Sequence, residues 1–380
     1  MTGVEPTSVE HWRARARRFT EKEIAPHAAA LDREDRMPAS IRVGLGREGF
    51  MGLSIPPEFG GQGGDTRATA AVLEEIACGS AAVATLLSVH LSVAAAPIVR
   101  WGTADQQRRY LPSMASGEFL GAFALTEPGA GSDAAQLATR YRRERKGFRI
   151  DGTKMFITNA GSADVIVLFA RKDLSTESRA ISAFLLPRGT AGFTVGQRLD
   201  KLGLRGSETV EVVLQDVRLG PESLLGEEGQ GLSLALGALT GGRVGISACA
   251  LGVARAALEE LKKAVTSRPD DWKRRSLARA YAQWTAASAL VERAALLRDS
   301  GEPFTTYASA AKLAASQAAV DIAQRALDVI GPAGVRGDHP AQRIFRDARV
   351  FPIVEGTTEI QELILGRTLA DDERSPETAA

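Results

Sequence analysis

A single glutamate near the end of the chain has the clearest capacity for chemistry. Glu355 follows the apolar residues 351–354, so folding should take its carboxylate out of water. A buried carboxylate either pairs with a cation or has a raised pKa that suits it to accept a proton. An ion pair with a nearby arginine, such as Arg346 or Arg349, is the structural interpretation, and proton abstraction is the chemical one.

The segment FALTEPGAGSD, residues 123–133, combines glycines with hydroxyl side chains. Its glycines free the backbone, and Thr126 and Ser132 offer hydroxyls, so the loop could surround the polar edge of a ring or a phosphate. The segment does not match G-x-G-x-x-G and has no P-loop lysine, so the dinucleotide-binding and Walker interpretations fail. An ordinary glycine-rich turn is the alternative.

A second segment, GTKMFITNAGSAD at residues 152–164, places an aromatic side chain near a hydroxyl. Phe156 and Thr158 are two residues apart in a β-rich stretch, so their side chains should lie on the same face of a strand. Such a pair can pack on a flat heteroaromatic ring and hydrogen bond to a nitrogen at its edge. A core phenylalanine beside a surface threonine is the alternative.

The elements that must position these residues fall into three blocks of an α+β fold. Residues 1–120 are predicted to form an N-terminal helical domain. Residues 121–225 contain short β-rich runs with no helical pattern between them, which favours an antiparallel sheet or barrel. The helical period returns over residues 226–380, where alanine-rich faces suit a bundle. The segment LDKLGLRGSET, residues 199–209, is predicted to be a solvated connector leading into a strand.

Two stretches carry more specific helix signals. Thr358 and Gln361 match the S/T-x-x-Q capping box, which predicts a helix from about Thr358. Residues 78–99 form the longest nearly uncharged run, but its serines and histidine would be costly in lipid, so a buried helix is predicted rather than a membrane span. His90, within that run, is predicted to be a satisfied packing residue.

Charge and composition narrow the classes of partner. Lys and Arg total 47 against 46 Asp and Glu, which gives no electrostatic reason to expect a nucleic acid or an anionic membrane. The four histidines are far apart and show no ligand spacing, so no metal site is expected. Cys78 and Cys249 lie among small and apolar residues, so the default compartment is a reducing cytoplasm without disulfides.

Taken together, the segments resemble the acyl-CoA dehydrogenase family, in order and across nearly the whole chain. The matching strings are LTEPGAGSD, KMFITNAG, KLGLRGSET and RDAR with VEGTTEIQ. The resemblance implies an N-terminal helical domain, a middle β domain and a C-terminal four-helix domain, with FAD bound near their junction. It also implies a homo-oligomer, a dimer or a tetramer, that dehydrogenates the Cα–Cβ bond of an acyl thioester carried on CoA or on a carrier protein.

Carried over position by position, the resemblance gives the cofactor-binding residues. Thr126 would bond the pyrimidine edge of the flavin, Thr158 would reach N5 and Phe156 would flank the ring. The remaining contacts expected with FAD come from Phe123, Leu125, Gly131, Ser132, Ile157, Arg268, Thr357 and Glu359.

The resemblance also gives the substrate-facing residues. Glu355 matches the family's base, and its own backbone N–H would help to hold the thioester carbonyl. The wall of the acyl pocket is expected within residues 81–96. Gly241 and Gly242 stand where some relatives place the base, so Glu355 has no rival. Further positions associated with the bound thioester are Ser132, Arg243, Gly356 and Arg367.

The sequence departs from the family where the adenine end of FAD would lie. Relatives usually show Arg-x-x-Phe-Gly after the helix at 245–265, and this chain has SRPDDWKRR. Arg268 could keep the arginine's role, with Trp272 in place of the phenylalanine. Relatives also show Gln-x-x-Gly-Gly where residues 328–332 read DVIGP. Contacts at the adenine end, which the family makes from a neighbouring subunit, are therefore expected to be altered.

Two other functions fit the same family resemblance. A flavin monooxygenase would use reduced flavin and oxygen, but such relatives typically lack the glutamate at position 355. A non-catalytic subunit that only pairs with an active chain is the other alternative. The chain carries no second redox motif, so a dehydrogenase would need an external electron acceptor, by resemblance an electron-transfer flavoprotein.

Overall fold

The computed structural model describes residues 8–173 and 180–372, and the N-terminal part of it is helical. Four of its described helices begin at a residue whose side chain accepts a hydrogen bond from the amide three residues later. These capping residues are Ser8, Asp65, Ser80 and Thr103. A π-helical segment, Val89–Ala95, joins two of the helices into one continuous rod. The helices are α1 (Val9–Phe19), α2 (Ala28–Glu34), α3 (Ala39–Arg47), α4 (Thr66–Gly79), α5 (Ala81–Ser88), α6 (Ala96–Trp101) and α7 (Ala104–Ser116).

The middle of the chain forms one eight-stranded sheet. The strands are β1 (Gly121–Ala124), β2 (Arg140–Glu144), β3 (Gly147–Thr158), β4 (Val165–Lys172), β5 (Ile181–Pro187), β6 (Phe193–Arg198), β7 (Thr209–Leu219) and β8 (Leu224–Leu225). Their order is β6-β7-β3-β2-β4-β5-β8, with β1 beside β4. Most pairs are antiparallel as predicted, but β1 and β2 both run parallel to β4. The connections between these strands are long enough to bring the chain back in the same direction.

The C-terminal part is again helical, as predicted. Its helices are α8 (Gly231–Ser267), α9 (Asp271–Asp299), α10 (Thr305–Ile330), α11 (Pro340–Ala348) and α12 (Thr358–Asp372). The face of α10 that carries Ala311, Ala315 and Ala319 is fully buried, and small side chains there allow α8 and α10 to approach closely. The 37 residues of α8 make it about 55 Å long, so it runs the length of this domain.

Helix α12 begins at Thr358 as predicted, but its cap differs from the expected capping box. Thr357 is the capping residue, because its Oγ1 accepts from the amide of Ile360. Gln361 instead donates its side-chain Nε2–H to the carbonyl of Gly356 at 3.0 Å. The side chain of Gln361 therefore fixes the turn before the helix rather than the first amide of the helix.

The long apolar run after residue 78 is buried inside the protein. Two helical stretches, Ala81–Trp101 and Gly231–Ser267, are long and apolar enough to cross a membrane, but 78% of the most apolar window of each is buried, as in core helices of a soluble protein. His90 accepts from the amide of Gly121 at Nδ1, so its Nε2–H points between the carbonyls of Met51 and Met114. Burial lowers the His90 pKa to about 4, and the neutral ring is a packing residue, as predicted.

Most of the second half of the connector, residues 203–209, is buried, while Asp200 and Leu202 in its first half are exposed, so the prediction of a solvated connector was wrong for the second half. The amide of Leu204 donates to Asp347 on α11 at 2.7 Å, and the amide of Gly206 donates to Asp35 beyond α2 at 2.6 Å. A methyl group at Gly203 would overlap the carbonyl of Arg346. The connector therefore joins the first and last helical domains at the edge of the sheet.

Candidate active site

The glycine-rich loop and the end of β3 are held together by a buried ion pair. Lys154 is 0% exposed, and its Nζ lies 2.7 Å from Glu127 Oε1 and 3.1 Å from the carbonyl of Leu125. Glu127 also accepts from the amides of Ala138 and Thr139. Burial opposes the charge on Glu127, but these donors and the lysine hold its pKa below the usual value. The first two predicted segments therefore form one rigid unit.

Phe156 lies on this unit with its ring in solvent. The amide of Met155 donates to the carbonyl of Thr126 at 2.9 Å, which places Phe156 beside the glycine-rich loop. The register with β7 shifts between Lys154 and Ile157, and Phe156 has the left-handed φ of 60°. Such a bulge re-aims a side chain, and here it leaves a phenylalanine 63% exposed.

The exposed ring fits the predicted flavin site. Ile157 is buried in the sheet, whereas Phe156 is exposed and Thr158 is half-buried on either side of it. Thr126 is also half-buried at the adjoining loop. An exposed aromatic face bordered by two hydroxyls suits a flat heteroaromatic ring with polar edges.

The other predicted cofactor residues differ in what they can offer. Leu125 and Ile157 point into the core, so only their backbone groups can meet a ligand. Phe123 packs against Phe169, with ring centroids 4.9 Å apart. Residues 131 and 132 lie on an exposed stretch, and a methyl group at Gly131 would meet nothing within 4 Å, which leaves space for a ligand beside the loop.

Glu355 lies in a tight turn between α11 and α12. It has a φ of 53°, in the left-handed region that disfavours a side chain, and Gly356 follows with a φ of 94°. The turn is fixed from several sides. The amide of Thr358 donates to the carbonyl of Pro352 at 2.8 Å, and Ser316 Oγ on α10 donates to the carbonyl of Phe351 at 3.1 Å.

One oxygen of the Glu355 carboxylate lacks a hydrogen-bond donor. Its Oε2 is buried and has no hydrogen-bond partner among the residues that the structure describes. Burial raises its pKa to about 7, and the nearby cations of Arg243 and Lys312 oppose that rise only in part. The oxygen lies directly over Gly242 on α8, where a methyl group would overlap it.

The ion-pair interpretation of Glu355 was wrong. Arg346 pairs with Asp32 on α2, with the closest nitrogen and oxygen 2.6 Å apart. Arg349 is exposed at the end of α11. A glutamate with a pKa near neutrality and no anchored partner is chemically a base.

The remaining predicted site residues lie at different distances from this turn. Arg243 is buried on α8 close to Glu355, and burial lowers its pKa. Thr357 caps α12, and Glu359 is exposed on its first turn. Arg367 is exposed nine residues further along α12 than Thr358, about 14 Å along the axis. Arg268 is exposed at the far end of α8, about 38 Å from Arg243 along that helix, so a single chain does not bring it to Glu355.

A cavity of about 420 Å³ lies beside the same turn of α8. It is bounded by the start of α4, the end of α6 and the glycine-rich face of α8 that includes Gly241 and Gly245. Of the range 81–96 expected to form the acyl wall, Leu91, Ser92 and Ala96 line this cavity. Arg298 closes one side and donates to the carbonyl of Gly241 at 3.2 Å.

Sequence reasoning missed two groups at the site. One is the pair Glu127 and Lys154, which are 27 residues apart and carry no local signal of their pairing. The other is Lys312, fully buried on α10 near Glu355. Its signal was present in the sequence, because alanine or serine stands at every position three or four residues away along the helix, and that is a buried face.

Three family models match the chain in succession. The model described as the N-terminal domain of acyl-CoA dehydrogenase covers residues 7–118, the middle domain covers 122–217 and the C-terminal domain covers 229–370.

Individual relatives match over almost their whole length. The mitochondrial short-chain specific acyl-CoA dehydrogenase of Bos taurus is 39% identical over 381 residues, covering 97% of this chain and 92% of that protein. An acyl-CoA dehydrogenase of Bacillus subtilis is 40% identical over 365 residues, covering 94% and 96%. The solved structure of butyryl-CoA dehydrogenase from Megasphaera elsdenii has a TM-score of 0.93 at 36% identity and covers 97% of this chain and 99% of that one. The chain belongs to the acyl-CoA dehydrogenase family, whose members are FAD-dependent oxidoreductases acting on CH–CH bonds.

Proposed function

We propose that Glu355 removes the α-proton of the substrate in the FAD-dependent dehydrogenation of an acyl thioester that this chain carries out. The observation that carries the proposal is the buried Oε2 of Glu355, which has no hydrogen-bond donor within the described chain and belongs to a carboxyl with a pKa of about 7. A base is most effective when its pKa is close to the working pH, and burial supplies that match here. FAD, when bound, supplies N5 of its ring as the acceptor of the hydride from Cβ.

The exposed edge of the β domain would hold the flavin ring. Phe156 offers its exposed face for packing, and the hydroxyls of Thr126 and Thr158 offer hydrogen bonds to the polar edges of the ring. The open space beside Gly131 and Ser132 leaves room for the pyrophosphate. Further backbone contacts would come from Phe123, Leu125 and Ile157, and others from Thr357 and Glu359 at the start of α12.

The turn that carries Glu355 would also bind the thioester. Removal of the α-proton places negative charge on the carbonyl oxygen, and pre-oriented N–H groups stabilise that charge. The peptide N–H groups of Glu355 and Gly356 lie in a turn that neighbouring hydrogen bonds hold rigid. The buried guanidinium of Arg243 adds a fixed positive charge close by. Ser132 and Arg367 remain proposed contacts with the more distant parts of the substrate.

The acyl group is proposed to be short and carried on CoA. Support comes from the relatives at 36–39% identity, whose names specify short-chain or butyryl-CoA substrates. A carrier protein is the alternative thioester donor. Because CoA and the carrier arm share the same phosphopantetheine, residues that contact only the acyl end cannot distinguish the two.

Electrons would leave through a separate protein, since the sequence carries no second redox motif. An electron-transfer flavoprotein is the proposed acceptor. Homotetramers are typical of the family, and we propose a homo-oligomer in which Arg268 reaches the adenine end of a neighbouring subunit's FAD. The proposed location is the cytoplasm.

Anaerobic reduction of the flavin tests the proposal. The purified chain should be yellow, and butyryl-CoA should bleach it faster than octanoyl-CoA or a butyryl-carrier protein, giving the α,β-unsaturated thioester. An electron-transfer flavoprotein should then restore the colour, whereas oxygen should do so slowly. Rapid turnover with oxygen that yields an oxygenated product would support a monooxygenase, and a colourless chain that no thioester reduces would support a non-catalytic subunit.

A further inference from the structure

Lys312 is a buried charge that the reaction described above does not use. It lies on α10, is 0% exposed, and its Nζ has no hydrogen-bond partner in the parts of the chain that the structure describes. Buried ammonium groups are rare without a partner, because removing the charge from water is costly. A lysine in such a place therefore needs a compensating interaction, and its surroundings show where that interaction comes from.

The face of α10 that carries Lys312 packs against the turn of the base. Ser316, one helical turn further on, holds the carbonyl of Phe351, four residues before Glu355. Three charged groups act on the ammonium from three elements: Glu355 on the turn, Arg243 on α8 and Glu359 on α12. Glu355 Oε2 and Arg243 Nε are likewise buried without hydrogen-bond partners in the described chain. The three unpartnered groups form a single electrostatic cluster.

The balance of these charges leaves Lys312 a cation at neutral pH. Burial and the like charge of Arg243 lower its pKa, the two glutamates raise it, and the outcome is a pKa of about 8. On Glu355 the same interaction acts in the opposite direction, because the lysine lowers a carboxyl pKa that burial raises. Without the lysine, less of the carboxyl would be ionised at any pH near 7.

We propose that Lys312 is a positioning residue for the base, with a buried ammonium that acts as the countercharge keeping Glu355 ionised inside an apolar turn. The inference rests on the proposed role of Glu355. Arg243 alone would not keep Glu355 ionised during the reaction, because the negative charge that develops on a bound thioester would also interact with Arg243. A second cation is therefore needed. Lys312 lies on α10, the helix whose Ser316 fixes the turn, and is not assigned to substrate.

The test is the pH profile of anaerobic single-turnover flavin reduction by butyryl-CoA. In the parent the acid limb should lie near pH 7, where Glu355 ionises. Lys312→Met should move that limb upward by about one unit or more, so that the rate at pH 6.5 falls about tenfold while the rate at pH 9 approaches the parent's. Lys312→Arg, which keeps the charge, should leave the limb closer to the parent's position. An acid limb that Lys312→Met leaves in place would overturn the proposal.

A matched control removes another cation from the same helix. Arg325 on α10 also has a buried, unpartnered Nε, but it is 13 residues further along, about 20 Å from Lys312. Arg325→Met should leave the acid limb where it is, even if the protein loses thermal stability. If it moves the limb as far as Lys312→Met does, the effect is not specific to the base and the proposal fails.

A thermal-stability cycle keeps the proposal testable if Lys312→Met loses its flavin. At pH 8, Lys312→Met should lower the midpoint more in the parent than in a Glu355→Gln background, because only the parent loses a countercharge. Equal losses in both backgrounds would overturn the proposal. The two hypotheses can be refuted separately. If the Glu355→Gln variant reduces flavin normally, Glu355 is not the base. If that variant is inactive but the losses in thermal midpoint from Glu355→Gln and Lys312→Met are additive, only the role of Lys312 is refuted.

Discussion

In two places within the described part of the chain a buried lysine acts on a glutamate, and the pKa of the carboxyl is lowered in one and raised in the other. Under the glycine-rich loop, Lys154 and Glu127 are in direct contact, and two backbone amides also donate to Glu127. In the turn between α11 and α12, Lys312 acts on Glu355 without a hydrogen bond, and Oε2 has no donor in the described chain. Burial raises the pKa in both, but only in the first do the partners overcome it.

The difference shows how the same residue types serve structure or chemistry. A carboxylate that accepts hydrogen bonds on both of its oxygens, as Glu127 does, is held in its ionised form and fixes the shape of a loop. A carboxylate with a free lone pair and a pKa near neutrality can take a proton from a ligand placed next to it. Glu127 is held ionised by its hydrogen bonds, and Glu355 must lack such hydrogen bonds if it is to accept a proton.

The largest expected effect comes from removing the basicity of Glu355. Glu355→Gln keeps the size of the side chain but should slow flavin reduction by ~10²–10⁴-fold or more, as expected for loss of a general base. The variant should remain yellow, bind acyl-CoA and have an unchanged or higher thermal midpoint, because a costly buried charge is gone. Single-turnover reduction and thermal unfolding on the same preparation measure both. Near-normal reduction would show that Glu355 belongs with Glu127 as a structural residue.

Breaking the completed pair should instead affect stability. Lys154→Met leaves Glu127 buried without its cation, which should cost about 3–5 kcal/mol in the free energy of unfolding. The glycine-rich loop should loosen and the flavin content of the purified protein should fall. Denaturant unfolding gives the cost. Lys172→Met, which removes an exposed ion pair to Glu228, is the matched control and should change stability by less than about 1 kcal/mol. Equal costs for the two variants would contradict the structural role.

Adding a methyl group at Gly242 should displace the carboxylate of Glu355 without changing the glutamate itself. The methyl would overlap Glu355 Oε2, so the carboxylate must move, and a shift of about 1 Å can reduce the rate ~10²-fold. Gly366→Ala on α12 is the control, since a methyl there meets nothing within 4 Å and should be neutral for activity. Rates of flavin reduction compare the two. Parent-like activity of Gly242→Ala would mean that the position of the carboxylate is not critical.

The two glutamates should contribute to stability with opposite dependence on pH. Glu355 has a folded pKa of about 7, above its ordinary 4.5, so its contribution is present below pH 4.5 and is lost as the pH rises through 7. Glu127 has a lowered pKa, so its contribution is present above pH 4.5 and is lost as the pH falls through its folded value. Thermal midpoints of the parent, Glu355→Gln and Glu127→Gln between pH 4 and pH 8 should therefore diverge in opposite directions. Parallel profiles would remove the distinction between the two sites.

The smallest expected effect comes from Thr158 in the proposed flavin site. Thr158→Val removes the hydroxyl proposed to reach N5 of the flavin, a loss of about 1 kcal/mol if that hydrogen bond is buried. The flavin spectrum should shift and reduction should slow modestly, while Thr158→Ser should behave like the parent. Absorbance spectra and stopped-flow reduction provide the readout. A Thr158→Val protein identical to the parent in both would mean that Thr158 faces elsewhere.

How much the sequence could predict depends on how local each cause is. The block order and the start of α12 were predictable, since helical periods, strand runs and caps are short-range signals. Glu355 was identifiable because its apolar neighbours precede it directly. The packing of the connector at residues 199–209 could not be predicted, because the amide of Leu204 bonds to Asp347, which is 143 residues away. The parallel pairing of β1 with β4 and the bulge at Phe156 also depend on contacts that no local pattern encodes.

The backbone conformation of Glu355 reduces the stability of the fold at the position that carries the proposed base. A glutamate at a φ of 53° is held in a conformation that glycine adopts freely, at a cost of order 1–3 kcal/mol. Mutation at this codon toward glycine or asparagine would relax the turn while removing the base. Selection for a stable fold alone would therefore favour replacement of glutamate here, so its presence supports the proposed role in turnover. Stabilising designs built on this scaffold should leave position 355 unchanged and seek their gains elsewhere.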